Sequence, residues 1–369
     1  MAKPLYQRII DDLQASIDDG RYMPEDRLPT EAELMARYGT SRITATRALK
    51  EMELKGLIYR QKGRGSFVSP RKPVESRIIS LVLPHKEGFF SGGQQYVRSI
   101  SAACRKAGYL CSVHYSEQSV RRERRILEEI RRHGVSGIIL YPIGNRNIDE
   151  ISRLSLEGVP ILLLDRSLEE IDLPVVRSEN LDGAKTAVTH ILNAGHRRIA
   201  FLGVLDAEPA ALRYRGYCRA LTDAGLPIDP ALIHTRYPGD AGEDQEVLTP
   251  EEADGILAAI RSEGATACFC VNDLCAYRLV GAAERAGVPV PDGLSLVGFD
   301  HLSYLEELGL DLTTVAQDYA AMGRRCVELL SSLVERPEAK RAQTESVIVP
   351  TRFVPGSTVV GPPPPAESP

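Results

Sequence analysis

From residue 78 onward the chain repeats one pattern, and that pattern leaves few folds open. Short apolar runs, "RIISLVLP", "YLCSVHY", "SGIILYP", "VPILLLD", "RRIAFLG", "TACFCVN" and "LSLVGFD", alternate with stretches of helical period such as "VRRERRILEEIRRHG" and "DLCAYRLVGAAERAG". Near-continuous apolar runs suit strands buried on both faces. Strands alternating with helices build an open parallel sheet covered on both sides. Roughly 280 residues of this pattern exceed what one such sheet needs, so two lobes are expected.

The first 69 residues follow another rule. "PLYQRIIDDLQASIDDG" puts Leu5, Ile9, Ile10, Leu13 and Ile17 on one helical face, with Gly20 as a stop. In "LPTEAELMARYG", Thr30 is an N-cap, Glu33 completes a capping box and Gly39 ends the helix. "TSRITATRALKEMELKGL" opens on Ser41 as N-cap, with Ile43, Ala48, Met52 and Leu57 expected inward. Two short helices joined by a tight glycine turn read as a helix-turn-helix. "IYRQKGRGSFV" reads as a β-hairpin, or wing, around a basic turn.

Charge separates the same two regions. Residues 1–72 carry 14 Lys and Arg against 10 Asp and Glu, a net of +4 in a chain whose total is −5. Such sign asymmetry points to a nucleic acid at the basic end. A recognition helix enters the major groove by its N-terminal end, where Arg42, Thr44 and Arg47 lie. Arginine can grip guanine with two bonds, and threonine can meet a base edge or a phosphate. Backbone N–H groups at Thr30 and Ser41 suit phosphates. Lys62 and Arg64 would track the DNA backbone or minor groove, and Gly63 and Gly65 keep the wing slim enough to approach it.

Ligands of open α/β sheets sit beyond the carboxyl ends of the strands. There the chain places His85, Lys86, Phe89 and Phe90; Asp165 and Arg166; Asn272 and Asp273; and Asp300. Carboxylates, an amide, cations and aromatic faces together suit a sugar. Other roles compete. Asp273 reads as a helix cap, His196 as a turn residue, and Phe89 and Phe90 can simply pack.

Two resemblances sharpen these readings. "LPTEAELMARYGTSRITATRALKEMELKGLIYRQKGRGSFV" resembles the winged-helix domain of the GntR family of bacterial regulators. The resemblance implies operator reading by Arg42 and Arg47 and by the glycine-rich wing. Ala32 stands where many members carry a further arginine. "LLLDR", "GHRRIAFLG", "RYRGYCRAL", "VND", "LSLVGFD", "TTVAQDYAAMG" and "IVPTRFV" resemble the effector domain of the lactose-repressor family, a periplasmic-binding-protein-like fold. That resemblance implies effector contacts from Arg213, Asn272 and Asp300, with Asp165 lining the cleft. "VPGST" departs from the family's usual ending.

The expected organisation is therefore a winged helix-turn-helix domain over 1–69, a linker over 70–77, a two-lobed doubly wound domain over 78–354 and a disordered Pro-rich tail over 355–369. The expected role is a sugar-responsive transcription regulator, a repressor that binds a palindromic operator in double-stranded DNA as a homodimer. The alternative is a sugar-binding or sugar-processing α/β protein without a DNA role. An enzyme is disfavoured: no G-x-G-x-x-G follows a strand, and no G-x-S-x-G, P-loop lysine or H-E-x-x-H occurs. No cofactor is implied. The start is not a signal peptide, and no apolar run approaches the roughly 18 residues of a membrane span. Seven scattered cysteines fit a reducing cytoplasm. Cys268, Cys270 and Cys275 lack the paired clusters of a zinc site and read as small apolar residues, so no metal is expected.

Overall fold

The computed structural model describes residues 4–61, 63–69, 77–84, 92–205, 207–235, 248–335 and 346–362. The chain divides into two compact units, Met1–Ser76 and Arg77–Pro369. No helix among the described residues is long and apolar enough to cross a membrane.

The first unit holds α1 (Leu5–Asp18), α2 (Glu31–Tyr38), α3 (Arg42–Leu54) and the antiparallel pair β1 (Ile58–Gln61) and β2 (Gly65–Val68). Ile9, Ile10, Leu13, Leu34, Ala45, Ala48, Leu49 and Met52 close its core. Thr30 and Glu33 form a reciprocal capping box, and Gly39 ends α2 in the left-handed region, where a Cβ is strained. One expectation fails. Ile43 is 82% exposed, because the inward stripe of α3 runs through 45, 48, 49 and 52 and a 3.6-residue period turns position 43 away from it.

The second unit has two lobes. The first contains β3 (Ile78–Leu83), α4 (Gly93–Lys106), β4 (Leu110–Tyr115), α5 (Val120–His133), β5 (Gly137–Leu140), α6 (Ile148–Leu156), β6 (Ile161–Leu164) and β7 (Val175–Ser178). The second contains α7 (Asn180–Asn193), β8 (Ile199–Leu202), α8 (Glu208–Asp223), β9 (Ile233–His234), α9 (Pro250–Ser262), β10 (Ala267–Cys270), α10 (Asp273–Arg285), β11 (Ser295–Val297) and α11 (Tyr304–Glu307). The chain then runs through β12 (Thr314–Gln317), returns to the first lobe as α12 (Tyr319–Glu335) and β13 (Val347–Val349), and ends in β14 (Thr351–Val354).

The first lobe is a parallel sheet ordered β13-β7-β6-β5-β3-β4. The apolar residues of α4 and α12 cover one face, and those of α5 and α6 the other. The second lobe is a parallel sheet ordered β11-β10-β8-β9, with α7 packed on α8 and α9 on α10. All seven apolar runs are strands. The chain passes between lobes three times: from β7 to α7, from β12 to α12, and from β13 to β14. β12 and β14 pair antiparallel, and Asp300 bridges to Ala316 beside them.

The stretch expected as tail is packed through residue 362. Ser357 donates its N–H to Asp311 O at 2.9 Å, Thr358 is buried with its hydroxyl on Leu296 O at 2.7 Å, and His196 Nε2 meets Val360 O at 2.7 Å. The Pro-rich composition that marks a tail begins only at Pro362. Residues 363–369, like most of the linker, lie outside the described residues.

Gly216 shows how close the helices of the second lobe come. A Cβ there would stand 2.4 Å from Leu181 O and 2.8 Å from the Cβ of Ala184, on α7. Backbone cannot yield cheaply at that distance. Gly216→Val is expected to cost about 1–3 kcal/mol or more of stability by overpacking, read as a lower urea midpoint for the unit from Arg77 onward.

Candidate DNA interface and effector cleft

The basic face of the first unit is held ready by its own acids. Ser41 caps α3, accepting from Thr44 N at 3.4 Å, and the two hydroxyls lie 3.1 Å apart. Arg42 is largely exposed and gives its Nε to Glu31 Oε2 at 3.2 Å, while Arg60 of β1 gives Nη2 to Glu31 Oε1 at 2.7 Å. These two arginines, Arg60 foremost, hold the Glu31 carboxyl below its usual range. Arg47 bonds Glu51 one turn on at 3.1 Å and lies 4.0 Å over the Tyr6 ring. Arg64 is exposed on the wing near Phe67, and Gly63 sits at φ +78°. Thr30 keeps its own N–H on Glu33 Oε2 at 2.7 Å, so its backbone does not offer a free donor to phosphate as expected. Lys62 lies outside the described residues. Arg42, Thr44 and Arg47 share the leading end of α3, and Arg60, which sequence reasoning passed over, joins them through Glu31.

The second constellation lies where strand ends from both lobes meet. Arg213, in the second turn of α8, is 6% exposed. It gives Nε to Asn180 Oδ1 at 2.8 Å, Nη1 to Val271 O at 2.8 Å and Nη2 to Asp300 Oδ1 at 3.2 Å. Its guanidinium lies 3.8 Å from the Phe299 ring centroid. Asp300, at φ +120°, also accepts from Gln317 Nε2 at 2.7 Å. Gln317 belongs to β12 and takes the Ser178 hydroxyl at 2.5 Å. Asp300 and Arg213, each expected to touch an effector, are bonded to one another, and Arg213 also braces three strand and helix ends.

The first lobe contributes Asp165, at φ +59° and 4% exposed, beside Tyr96 and near Tyr141 and Tyr319. Asp165 Oδ1 and the Tyr96 hydroxyl are buried without a well-formed hydrogen bond among the described residues. Burial pushes both the Asp165 and Asp300 carboxyls above their ordinary range, with the Arg213 cation opposing in each case. Buried polar groups ordinarily find partners, and here the Tyr96 hydroxyl draws on the Asp165 carboxyl, opposing the effect of burial.

Other expected contacts are placed differently. Asn272 is half-buried and is itself the cap of α10, accepting from Cys275 N at 2.9 Å. Asp273 follows the cap and braces the next strand end through Leu302 N at 2.8 Å and the Thr314 hydroxyl at 2.5 Å. Burial drives the Asp273 carboxyl up to about 7. His196 is a buried turn residue bonded to Thr266 and Val360. Arg166 gives Nη1 to Ile143 O and lines a groove of about 740 Å³ together with Asn145, Ser167, Glu208 and Arg215. Across that groove Glu208 of the second lobe accepts from Ser167 N at 2.7 Å and from Arg177, both of the first lobe. His85, Lys86, Phe89 and Phe90 lie outside the described residues. Cys268, Cys270 and Cys275 are buried, and no group of metal-holding side chains occurs among the described residues.

Residues 5–68 match the family described as bacterial regulatory proteins, gntR family, and residues 188–359 match the periplasmic binding protein-like domain. The chain is 28% identical over 340 residues to an arabinose metabolism transcriptional repressor of Geobacillus stearothermophilus, covering 90% of this chain and 92% of that one. It is 28% identical over 308 residues to the HTH-type transcriptional repressor CytR of Escherichia coli strain K12, covering 80% and 83%. Among solved structures, a complex of the transcriptional regulator CelR with cellobiose superposes with a TM-score of 0.66 at 21% identity, over 86% of this chain and 90% of that one. A LacI family regulator from Enterococcus faecium with bound ribose gives 0.65 at 24% identity, over 77% and 98%. At these identities the two structures establish the fold.

Two expectations follow. Arg42→Ala and Arg47→Ala should each cost about 1–3 kcal/mol on specific DNA and relax discrimination at one base position; equal losses on random DNA in a titration would reassign them to phosphate. Arg213→Ala strands the buried Asp300 carboxylate, so it should lower stability by about 3–5 kcal/mol, whereas Asp300→Asn keeps the shape and should lower it less. Calorimetric melting of both variants checks the order.

Proposed function

From the premise that this chain is a transcription regulator and not an enzyme, with a winged helix of the gntR type joined to a periplasmic binding protein-like domain, we propose that it is a repressor controlled by a neutral sugar. One observation carries the ligand class. Asp165 from the first lobe and Asp300 from the second face a single buried guanidinium, Arg213. Arg213 already carries the Asp300 carboxyl, so the site holds no unmatched cation to attract a phosphate or carboxylate ligand. Hydroxyls, which both donate and accept, satisfy carboxylates and a guanidinium at once. Tyr96, Tyr141 and Tyr319 pack edge to face on one another, an aromatic cluster of the kind that covers the C–H side of a sugar ring. The relatives named for arabinose metabolism and the neighbours holding cellobiose and ribose agree with this class.

Asp165, Arg213 and Asp300 are the proposed effector contacts, with Asn272 acting through the cap of α10. The DNA contacts proposed are Arg42, Thr44, Arg47 and the wing from Lys62 to Arg64. Two winged helices must meet two half-sites of a near-palindrome, so the working form is a cytoplasmic homodimer. Sugar entry draws the lobes together and changes the spacing of the two heads.

The test is a thermal-shift series of neutral pentoses, hexoses and disaccharides against their phosphates. A neutral sugar at 100 times its dissociation constant should add about 2.7 kcal/mol, and its phosphate should add little. Stabilisation by sugar phosphates alone contradicts the proposal. Asp300→Asn should abolish the shift while the variant still binds DNA in a gel-mobility assay.

A further inference from the structure

We propose that Ile43 reads the C5-methyl group of a thymine in the major groove, giving operator recognition an apolar component beside the arginines. The proposal rests on α3 being the recognition helix. Ile43 occupies the second position of α3 and is 82% exposed. It is not a core residue that failed to pack, because Ala45, Ala48, Leu49 and Met52 already complete the inner stripe. Its branched side chain has essentially one rotamer in a helix, so it presents its methyls in a fixed direction. Arg42, Ile43, Thr46, Arg47, Lys50, Glu51 and Leu54 line one shallow exposed groove along the helix, three cations against one acid. The cations in that groove complement a polyanion rather than an apolar protein face. The helix leads with its N-terminal turn. Leu54, eleven residues on and roughly 16 Å along the axis, stays clear of the bases, whereas Ile43 arrives with Arg42. Thymine is the base whose major-groove edge carries a methyl group, and an apolar side chain is its natural contact.

The experiment uses the full-length protein. Binding sites are selected from random duplexes, and each thymine of the selected half-site is then replaced by deoxyuridine, which removes the methyl and nothing else. One thymine per half-site should show a loss of about fourfold for the wild type, the worth of one buried carbon. Ile43→Ala should bind more weakly and lose that methyl penalty, and Ile43→Val should keep part of it. An unchanged urea midpoint for Ile43→Ala, expected for an exposed residue, excludes misfolding as the cause. The proposal is overturned if no thymine shows a methyl penalty, or if the penalty survives in Ile43→Ala. A change in oligomeric state with the penalty intact would assign Ile43 to a contact between copies instead. Failure of the selection to enrich any sequence would defeat the DNA reading itself, and this proposal with it.

Discussion

The second unit is organised around one buried cation. Removing a guanidinium from water costs several kcal/mol unless its donors are met. Arg213 meets that demand with groups from three different elements: Asn180 at the start of α7, Val271 after β10 and Asp300 after β11. Each partner fixes the end of the element that carries it. Asp300 passes the constraint on through Gln317 to Ser178, at the last residue of β7 in the other lobe. The strand ends, the crossing strand β12 and the first lobe are thus tied by one hydrogen-bonded chain. Asp300 at φ +120° is the strained member, and it holds because Arg213 and Gln317 both bond its carboxylate.

Much of this was legible in the sequence for a physical reason. Asp165, Arg166, Asn272 and Asp300 each end an uninterrupted apolar run, where a polar residue must lie at the rim of a sheet. Arg213 came from its resemblance motif, since an arginine within a helix carries no local mark of burial. Tyr96 and Tyr319 went unread because they occupy inward positions of α4 and α12, where an aromatic looks like ordinary core. Gln317 and β12 were hidden in "TTVAQDYAAMG", which is too short and too mixed for the long apolar pattern. Ile43 is close in sequence to the apolar stripe of α3, but the helical period turns it off that stripe. The final segment was misread because composition cannot see Thr358 and Val360 filling hydrogen bonds at the edge of β11.

With Arg42 and Arg47 as the proposed base contacts, weak surface bonds in the first unit would serve specificity. Arg42 and Arg47 are paired with Glu31 and Glu51, yet both arginines are largely exposed. Exposed pairs of this kind are worth about 0–1 kcal/mol, less than the roughly 1–3 kcal/mol of a bidentate base contact. On that proposal the tethers orient the side chains without outcompeting DNA. Because the tethers are acidic, they also oppose adhesion to any phosphate backbone, so random DNA gains less than a site that supplies the matching base edge. Discrimination arises from the difference between the two outcomes.

Control by a small molecule needs a difference as well. A ligand shifts a conformational equilibrium only as far as its affinity differs between the two states. Contacts supplied by a single lobe are the same whether the lobes are together or apart, so they add affinity and no response. Asp165 stands on the first lobe, while Arg213 and Asp300 stand on the second. A ligand held by all three is the kind whose binding depends on the lobes being together. Glu208 also bonds the lobes directly, through Ser167 and Arg177. Those bonds stabilise the joined form on their own, so each increment they add shrinks the shift left for the ligand to produce. On the proposed contacts, sensitivity to a sugar is set by the balance between that latch and the three side chains that require both lobes.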